Sequence, residues 1–270
     1  CLDQNIQLPT LKRIIMAGAP VSGDLLARFE TIVDKNCKIY TPYGATEVLP
    51  VSLIDRRKIL DETWSLSNQG KGTCVGHPIP GVEIKIIEIS DQPILKWQDV
   101  TESGTNIVGE IAVKAEWATR TYFNRQDLTQ LAKIEDGNSF WHRMGDLGRL
   151  DEKNRLWFYG RKNQRVVTEF ETLYTIPCEA IFNQHPDVKR SALVGTGYKT
   201  KPVIIIEPVE RIKSQAARQK FTAELLERGA KSSLTQSITK VLFHEEFPVD
   251  VRHNAKIFRE KLSLWAENQK

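Results

Sequence analysis

Between Leu11 and Gly44 the chain reads strand, helix, strand, and few architectures accommodate that order. "LKRIIMAG" (Leu11–Gly18) is a short apolar run ended by glycine. "SGDLLARFETIVDKN" (Ser22–Asn36) puts Leu25, Leu26, Phe29, Ile32 and Val33 on one helical face, with Ser22 placed as the cap. "CKIYTPYG" (Cys37–Gly44) returns as a strand. Two strands joined by a helix within roughly 35 residues make a βαβ unit. "AGAP" (Ala17–Pro20) and "YGATE" (Tyr43–Glu47) then leave the carboxyl ends of neighbouring parallel strands. Open α/β sheets bind ligands at those ends.

From Gly70 onward the pattern changes to Gly- and Pro-punctuated alternation, as in Val82-Glu83-Ile84-Lys85-Ile86 and in "FWHRMGDLGRLDEKNRLWFYGR". That spacing predicts an antiparallel sheet or small barrel over 70–160. Asp146, beside Gly145 and Gly148, reads as sitting on a tight turn. Past "GRKNQ" (Gly160–Gln164) the sequence becomes mixed. Helices are expected over Pro177–Gln184, Ser214–Arg228, Leu234–Lys240 and Ile257–Glu267, with strands "RSALVG", "VIIIEP" and "VLFHEE" among them. The expected organisation is an α/β piece over 1–60, a β-rich part over 70–160 and a small α+β domain over 165–270.

Composition removes several function classes. The 270 residues are 40% hydrophobic and 27% charged, as in ordinary globular proteins, and the length favours two domains. The net charge of +4 is spread without a basic stripe, so no nucleic-acid partner is expected. Cys1, Cys37, Cys74 and Cys178 lie far apart, which fits reduced thiols in the cytoplasm. No apolar run reaches the roughly 20 residues that span a bilayer, and no signal peptide is evident. Cys1 stands where a methionine would, so the chain is expected to be part of something longer.

Four places carry chemistry. Thr46 offers a hydroxyl to a phosphate and Glu47 a hard oxygen ligand to magnesium. Asp146 can accept two hydrogen bonds from a ribose diol. Arg161 presents a rigid fork of donors to phosphate or ribose oxygens. Lys256, ahead of an amphipathic segment, can bring its charge to an anion in a dry site. Each also has an ordinary reading: a polar turn, an Asx turn, a linker arginine, a solvated lysine.

Their order is more telling. AGAP, YGATE, GHPIPG, GEIAVK, GDLGRL, GRKNQ and NAKIFR follow one another along nearly the whole chain. The series resembles the adenylate-forming superfamily of acyl- and aryl-CoA ligases, peptide-synthetase adenylation domains and luciferases. The resemblance implies the C-terminal half of such an enzyme, using ATP and magnesium on a carboxylic acid. It implies that Gly18, Ala19, Pro20, Tyr43 and Gly44 border the nucleotide. It further implies that Thr46 contacts the α-phosphate, Glu47 holds magnesium, Asp146 the ribose hydroxyls, and Arg161 the ribose or phosphate. Asn163 becomes the hinge within 161–164, 165–270 a mobile lid, and Lys256 the lysine that bridges carboxylate and α-phosphate. The family's Gly/Ser/Thr-rich phosphate loop lies outside this chain, so the missing N-terminal half is the expected partner and the isolated chain is expected to be inactive. "LYTIPCEAIFNQHP" and "VRHNAKIFREKL" look like the β-lactone synthetases of bacterial olefin biosynthesis, which act on long-chain 3-hydroxy acids. His253 beside Lys256 is a second candidate there. CoA thioester formation and transfer to a carrier protein are the competing second steps.

Overall fold

The computed structural model describes residues 2–4, 6–197, 200–250 and 256–269. They divide into two compact units, Cys1–Ser65 with Gly72–Lys162, and Leu66–Lys71 with Asn163–Lys270.

In the first unit Arg13–Ile15 (β1) pairs in parallel with Lys38–Ala45 (β2), and helix α1 (Gly23–Glu30) connects them. The Ser22 hydroxyl accepts the Leu25 N–H at 3.2 Å and caps α1, while Leu26 is fully buried. The helix stops at Glu30 rather than near Asn36. The Thr31 hydroxyl donates to the Arg28 carbonyl, and Val33 forms a parallel bridge with Leu8. β-branched Thr31, Ile32 and Val33 favour that extended pairing over another helical turn.

β2 turns directly into Val48–Asp55 (β3) as an antiparallel hairpin. Short helices Arg56–Lys58 (α2) and Trp64–Asn68 (α3), with a π-turn at Ile59–Thr63 between them, lead to Thr73–Pro78 (β4) and Val82–Ile87 (β5). Gly109–Ala115 (β6) precedes helix α4 (Gln126–Ala132), Lys133–Asp136 (β7), Ser139–Leu150 (β8) and Leu156–Arg161 (β9). The strands join in the order β1-β2-β3-β4-β9-β8-β6-β5, with β7 on β8. One hydrogen-bonded sheet therefore runs from the α/β piece into the β-rich part. Val82, Ile84 and Ile86 point into a core with Val51, Ile111, Val113 and Met144. Ala112, between Ile111 and Val113, faces a second cluster with Ile134 and Trp141.

The second unit has a two-stranded hairpin of Val166–Val167 (β10) and Thr172–Leu173 (β11). Its other sheet is Val188–Thr196 (β12), Lys201–Pro208 (β13) and Lys240–Phe243 (β14), β13 and β14 being parallel across helix α6 (Gln215–Ala230). Leu193, Ile204 and Ile206 pack with Cys178 and Phe182 of helix α5 (Thr175–Phe182) and with Phe221 and Leu225 of α6. Ala192, Val194, Val203 and Ile205 pack with Leu262 and Ala266 of helix α7 (Arg259–Glu267). Burial of both faces explains why these strands read as unbroken apolar runs. The helix expected at Leu234–Lys240 does not form. Ser232 and Thr235 capture local backbone groups instead, the Thr235 hydroxyl donating to the Gly229 carbonyl at 2.7 Å. Cys37, Cys74 and Cys178 are buried free thiols, and burial pushes Cys74 up to about 11 and Cys178 up to about 12. Among the described residues no helix is long and apolar enough to cross a membrane.

Candidate active site

Because β1 and β2 are parallel neighbours with Ile15 opposite Tyr40, the Gly18–Pro20 loop and the end of β2 emerge on the same side of the sheet. Gly18 and Pro20 are exposed and Ala19 is half-buried. Ala45 pairs with Val48, so Thr46 and Glu47 form the tip of the hairpin rather than a strand-to-helix loop. Gly44 is required by close approach, since a Cβ there would stand 2.7 Å from both the Val48 carbonyl oxygen and Leu49 Cδ1. Thr46 is exposed. Glu47 is half-buried, and its carbonyl accepts the Thr119 N–H at 2.8 Å.

Asp146 does not lie on a turn. It sits inside β8, 4% exposed, opposite Arg161 of β9. The turn signal came from Gly145, whose φ of +64° gives the strand a local irregularity that a glycine tolerates. The Tyr43 hydroxyl donates to Asp146 Oδ2 at 2.7 Å. Arg161 Nη1 stands 2.9 Å from Oδ1 as an ion pair, and Oδ1 is a buried acceptor held by that charge contact and by no regular hydrogen bond. Burial pushes the Asp146 carboxyl up, against the pull of Arg161 and Tyr43. Burial and then the Asp146 charge push the Tyr43 phenol well up. Arg161 also donates to the Met144 carbonyl at 3.3 Å. The next residue, Lys162, donates to the Ser90 carbonyl at 2.7 Å and ion-pairs with Glu110 at 3.2 Å. Glu110 is in turn held by buried Arg143 at 2.6 Å.

Three residues that the sequence reading passed over surround Glu47. The Tyr122 hydroxyl donates to Glu47 Oε1 at 2.7 Å. Lys133 and His142 face each other across β7 and β8, with Nζ 3.1 Å from Nδ1, and both are buried. Burial pushes Glu47 up. The Tyr122 hydroxyl, its own backbone N–H and the neighbouring His142 and Lys133 outweigh that and hold it below its usual value. Burial pulls Lys133 down to about 8 against Glu47, and burial with Lys133 pulls His142 down to about 4. At neutral pH the lysine is charged and the histidine is not. Tyr43 and Glu47 lie on the same hairpin, and Asp146 and His142 on the same strand β8, so the Asp146 and Glu47 clusters adjoin. The hairpin signal "EDGNSF" would have revealed Lys133 and His142. Pairing Asp136 with Ser139 around Gly137 and counting outward sets them opposite one another.

A separate cavity of about 400 Å³ in this unit is lined by Leu53, Asp55, Lys58, Glu62, His77 and Arg155 and shares no residue with these clusters. In the second unit Asn163 is exposed in a single 3₁₀ turn, Lys162–Gln164. Lys256 is exposed, and its carbonyl accepts the Asp250 N–H at 3.0 Å. His253, with Asn254 and Ala255, lies outside the described residues.

Residues 2–123 match the family model of the AMP-binding enzymes. The olefin beta-lactone synthetase of Xanthomonas campestris pv. campestris is 43% identical, over 99% of this chain and 49% of that protein. The olefin beta-lactone synthetase of Stenotrophomonas maltophilia is 41% identical, over 96% of this chain and 48% of that protein. The fold is shared with the O-succinylbenzoate coenzyme A synthetase MenE of Bacillus subtilis, solved in complex with AMP. That match has a TM-score of 0.72 at 20% identity and covers 97% of this chain and 48% of that one. The chain thus spans about half the length of the curated relatives it matches. With residues 2–123 matching that family model and the two olefin beta-lactone synthetases aligned over nearly the whole chain, the chain belongs to the AMP-binding enzyme family.

Proposed function

We propose that this chain is the C-terminal part of a cytoplasmic enzyme that activates a long-chain 3-hydroxy acid with ATP. The carboxylate attacks the α-phosphate, acyl-AMP forms and pyrophosphate leaves. The 3-hydroxyl then loses its proton and attacks the acyl carbon, and the acyl–phosphate bond breaks to release AMP and a β-lactone. The observation that carries this reading is the 43% identity to an olefin beta-lactone synthetase over 99% of the chain.

The residues present fit the nucleotide. Asp146 Oδ1, buried and without a hydrogen-bond donor, suits a ribose hydroxyl. Tyr43 and the Gly18, Ala19 and Pro20 loop would border the adenine, Gly44 keeps the hairpin close, and Thr46 would donate its hydroxyl to the α-phosphate. Arg161, half-exposed beside Asp146, would reach ribose or phosphate. They also fit magnesium. Among the described residues no three acidic, histidine or cysteine side chains converge, whereas magnesium takes one or two carboxylates and completes its shell with phosphate and water. Glu47 would hold the ion, which when bound offsets charge on the phosphates. Two unit charges about 4 Å apart repel by roughly 4 kcal/mol at an effective dielectric near 20. Lys256 would lower that barrier between carboxylate and α-phosphate, and rotation about Asn163 would withdraw it for the second step.

The test is to incubate the full-length protein with a 3-hydroxy fatty acid and ATP in the absence of CoA. β-Lactone and AMP are expected. A strict requirement for CoA, with thioester as product, would overturn lactone formation. A requirement for a carrier protein would do the same.

A further inference from the structure

Lys133 is out of place for a structural lysine. It is 8% exposed, and no ion pair to its ammonium is found among the described residues. His142 Nδ1 is 3.1 Å from Nζ, and the rings of Phe140 and Tyr122 lie under it at 5.2 and 5.9 Å. Lysines this buried are normally paired with a carboxylate. Aromatic faces compensate such a charge only in part. The Tyr122 ring beneath the ammonium carries the hydroxyl that donates to Glu47, so Glu47 is the carboxylate next to Lys133 in this arrangement.

Tyr122 belongs to the same arrangement. Its hydroxyl takes one oxygen of Glu47, and its backbone N–H donates to Thr129 Oγ1 at 3.0 Å, which ties it to α4. Lys133 directly follows α4, so one short helix sets both residues against Glu47. A hydrogen bond to one oxygen fixes the carboxylate and leaves the other for a ligand. A nearby ammonium repels any cation that arrives there.

Resting on the reading of Glu47 as the magnesium ligand, we propose that Tyr122 and Lys133 are positioning residues that set the strength of that site in opposite directions. Tyr122 orients the carboxylate toward the metal. Lys133 is a resident counter-charge that keeps Glu47 from retaining the metal once the phosphates leave. Glu47 would then hold the ion only while phosphate oxygens share it.

Manganese(II) is the probe, titrated by electron paramagnetic resonance into the full-length protein with a non-hydrolysable ATP analogue. Tyr122→Phe is expected to weaken manganese binding about tenfold. Lys133→Met is expected to tighten it by a factor on the order of ten, and Lys133→Arg to restore wild-type affinity. Lys133→Gln replaces Lys133→Met should the latter not fold. A purely structural role predicts the same direction for both removals, and equal signs or no change in either would overturn the proposal. Glu47→Gln separates the two layers. If it weakens manganese binding while the Tyr122 and Lys133 variants leave binding unchanged, the inference fails alone. If it too leaves binding unchanged, the reading of Glu47 fails with it.

Discussion

At the scale of single residues, Asp146 concentrates the most information. A buried carboxylate with one oxygen satisfied by Tyr43 and the other facing Arg161 without a hydrogen bond is costly unless something uses it. Asp146→Asn in the full-length protein is expected to weaken AMP binding about tenfold or more, read by calorimetry, because a charged acceptor becomes a neutral amide. Unchanged affinity would remove Asp146 from the nucleotide site. Tyr43→Phe strips Oδ2 of its donor and is expected to cost about 1–3 kcal/mol in denaturant unfolding. Asp146 was legible as a candidate because its motif carries it, but its setting was not. Gly145 and Gly148 read as a turn, and only the pairing of β8 with β9 shows a strand bent at Gly145. Lys133 and His142 gave no signal of their own, because a lysine and a histidine spaced nine apart mean nothing until a hairpin closes between them.

At the scale of elements, βαβ order and strand alternation were readable from period alone, and the parallel β1–β2 pair and the inward Val82, Ile84 and Ile86 follow from them. Boundaries were not. α1 ends early because Val33 bonds to a residue far back in the chain, and the segment after Ser232 turns because its hydroxyls bond locally. In the second unit Glu207 of β13, 1% exposed, receives Arg190 at 2.6 Å, Lys189 at 2.7 Å and the Phe247 N–H at 2.9 Å. Burial pushes its carboxyl up, but these donors outweigh it and hold Glu207 at about 2, below the ordinary value of 4.5. The folded state therefore binds this proton less readily than the unfolded chain, and the stabilisation is complete above pH 4.5. Thermal unfolding of the second unit is expected to fall steeply as pH drops from about 4.5 toward 2, and Glu207→Gln to flatten that slope. α5 and α7 are clamped by Arg259, which grips both oxygens of Glu179 at 2.7 and 2.8 Å. Arg259→Met leaves that buried carboxylate without its counter-charge, with the Leu193 N–H still donating at 2.9 Å, and is expected to cost about 3–5 kcal/mol.

At the scale of the whole molecule, two compact units meet in sequence at Lys162 and Asn163. The sequence changes in that neighbourhood from Gly-punctuated strands to mixed helix and strand, which have different periods. The share of Leu66–Lys71 in the second unit was invisible, because a short segment carries no label of the core it joins. If Lys256 serves only adenylation, Lys256→Ala in the full-length protein abolishes acyl-AMP formation and leaves turnover of supplied acyl-AMP largely intact. Pyrophosphate exchange and AMP release measure the two steps separately, and equal loss of both would reject a division of labour between them.

The chain is fastened twice immediately before Asn163: Arg161 to the Asp146 carboxylate and Lys162 to the Glu110–Arg143 pair. If Asp146 takes a guest hydroxyl and Asn163 is a swivel, the guest competes with one of the two clasps, and occupancy of the one and slack in the other become thermodynamically linked quantities.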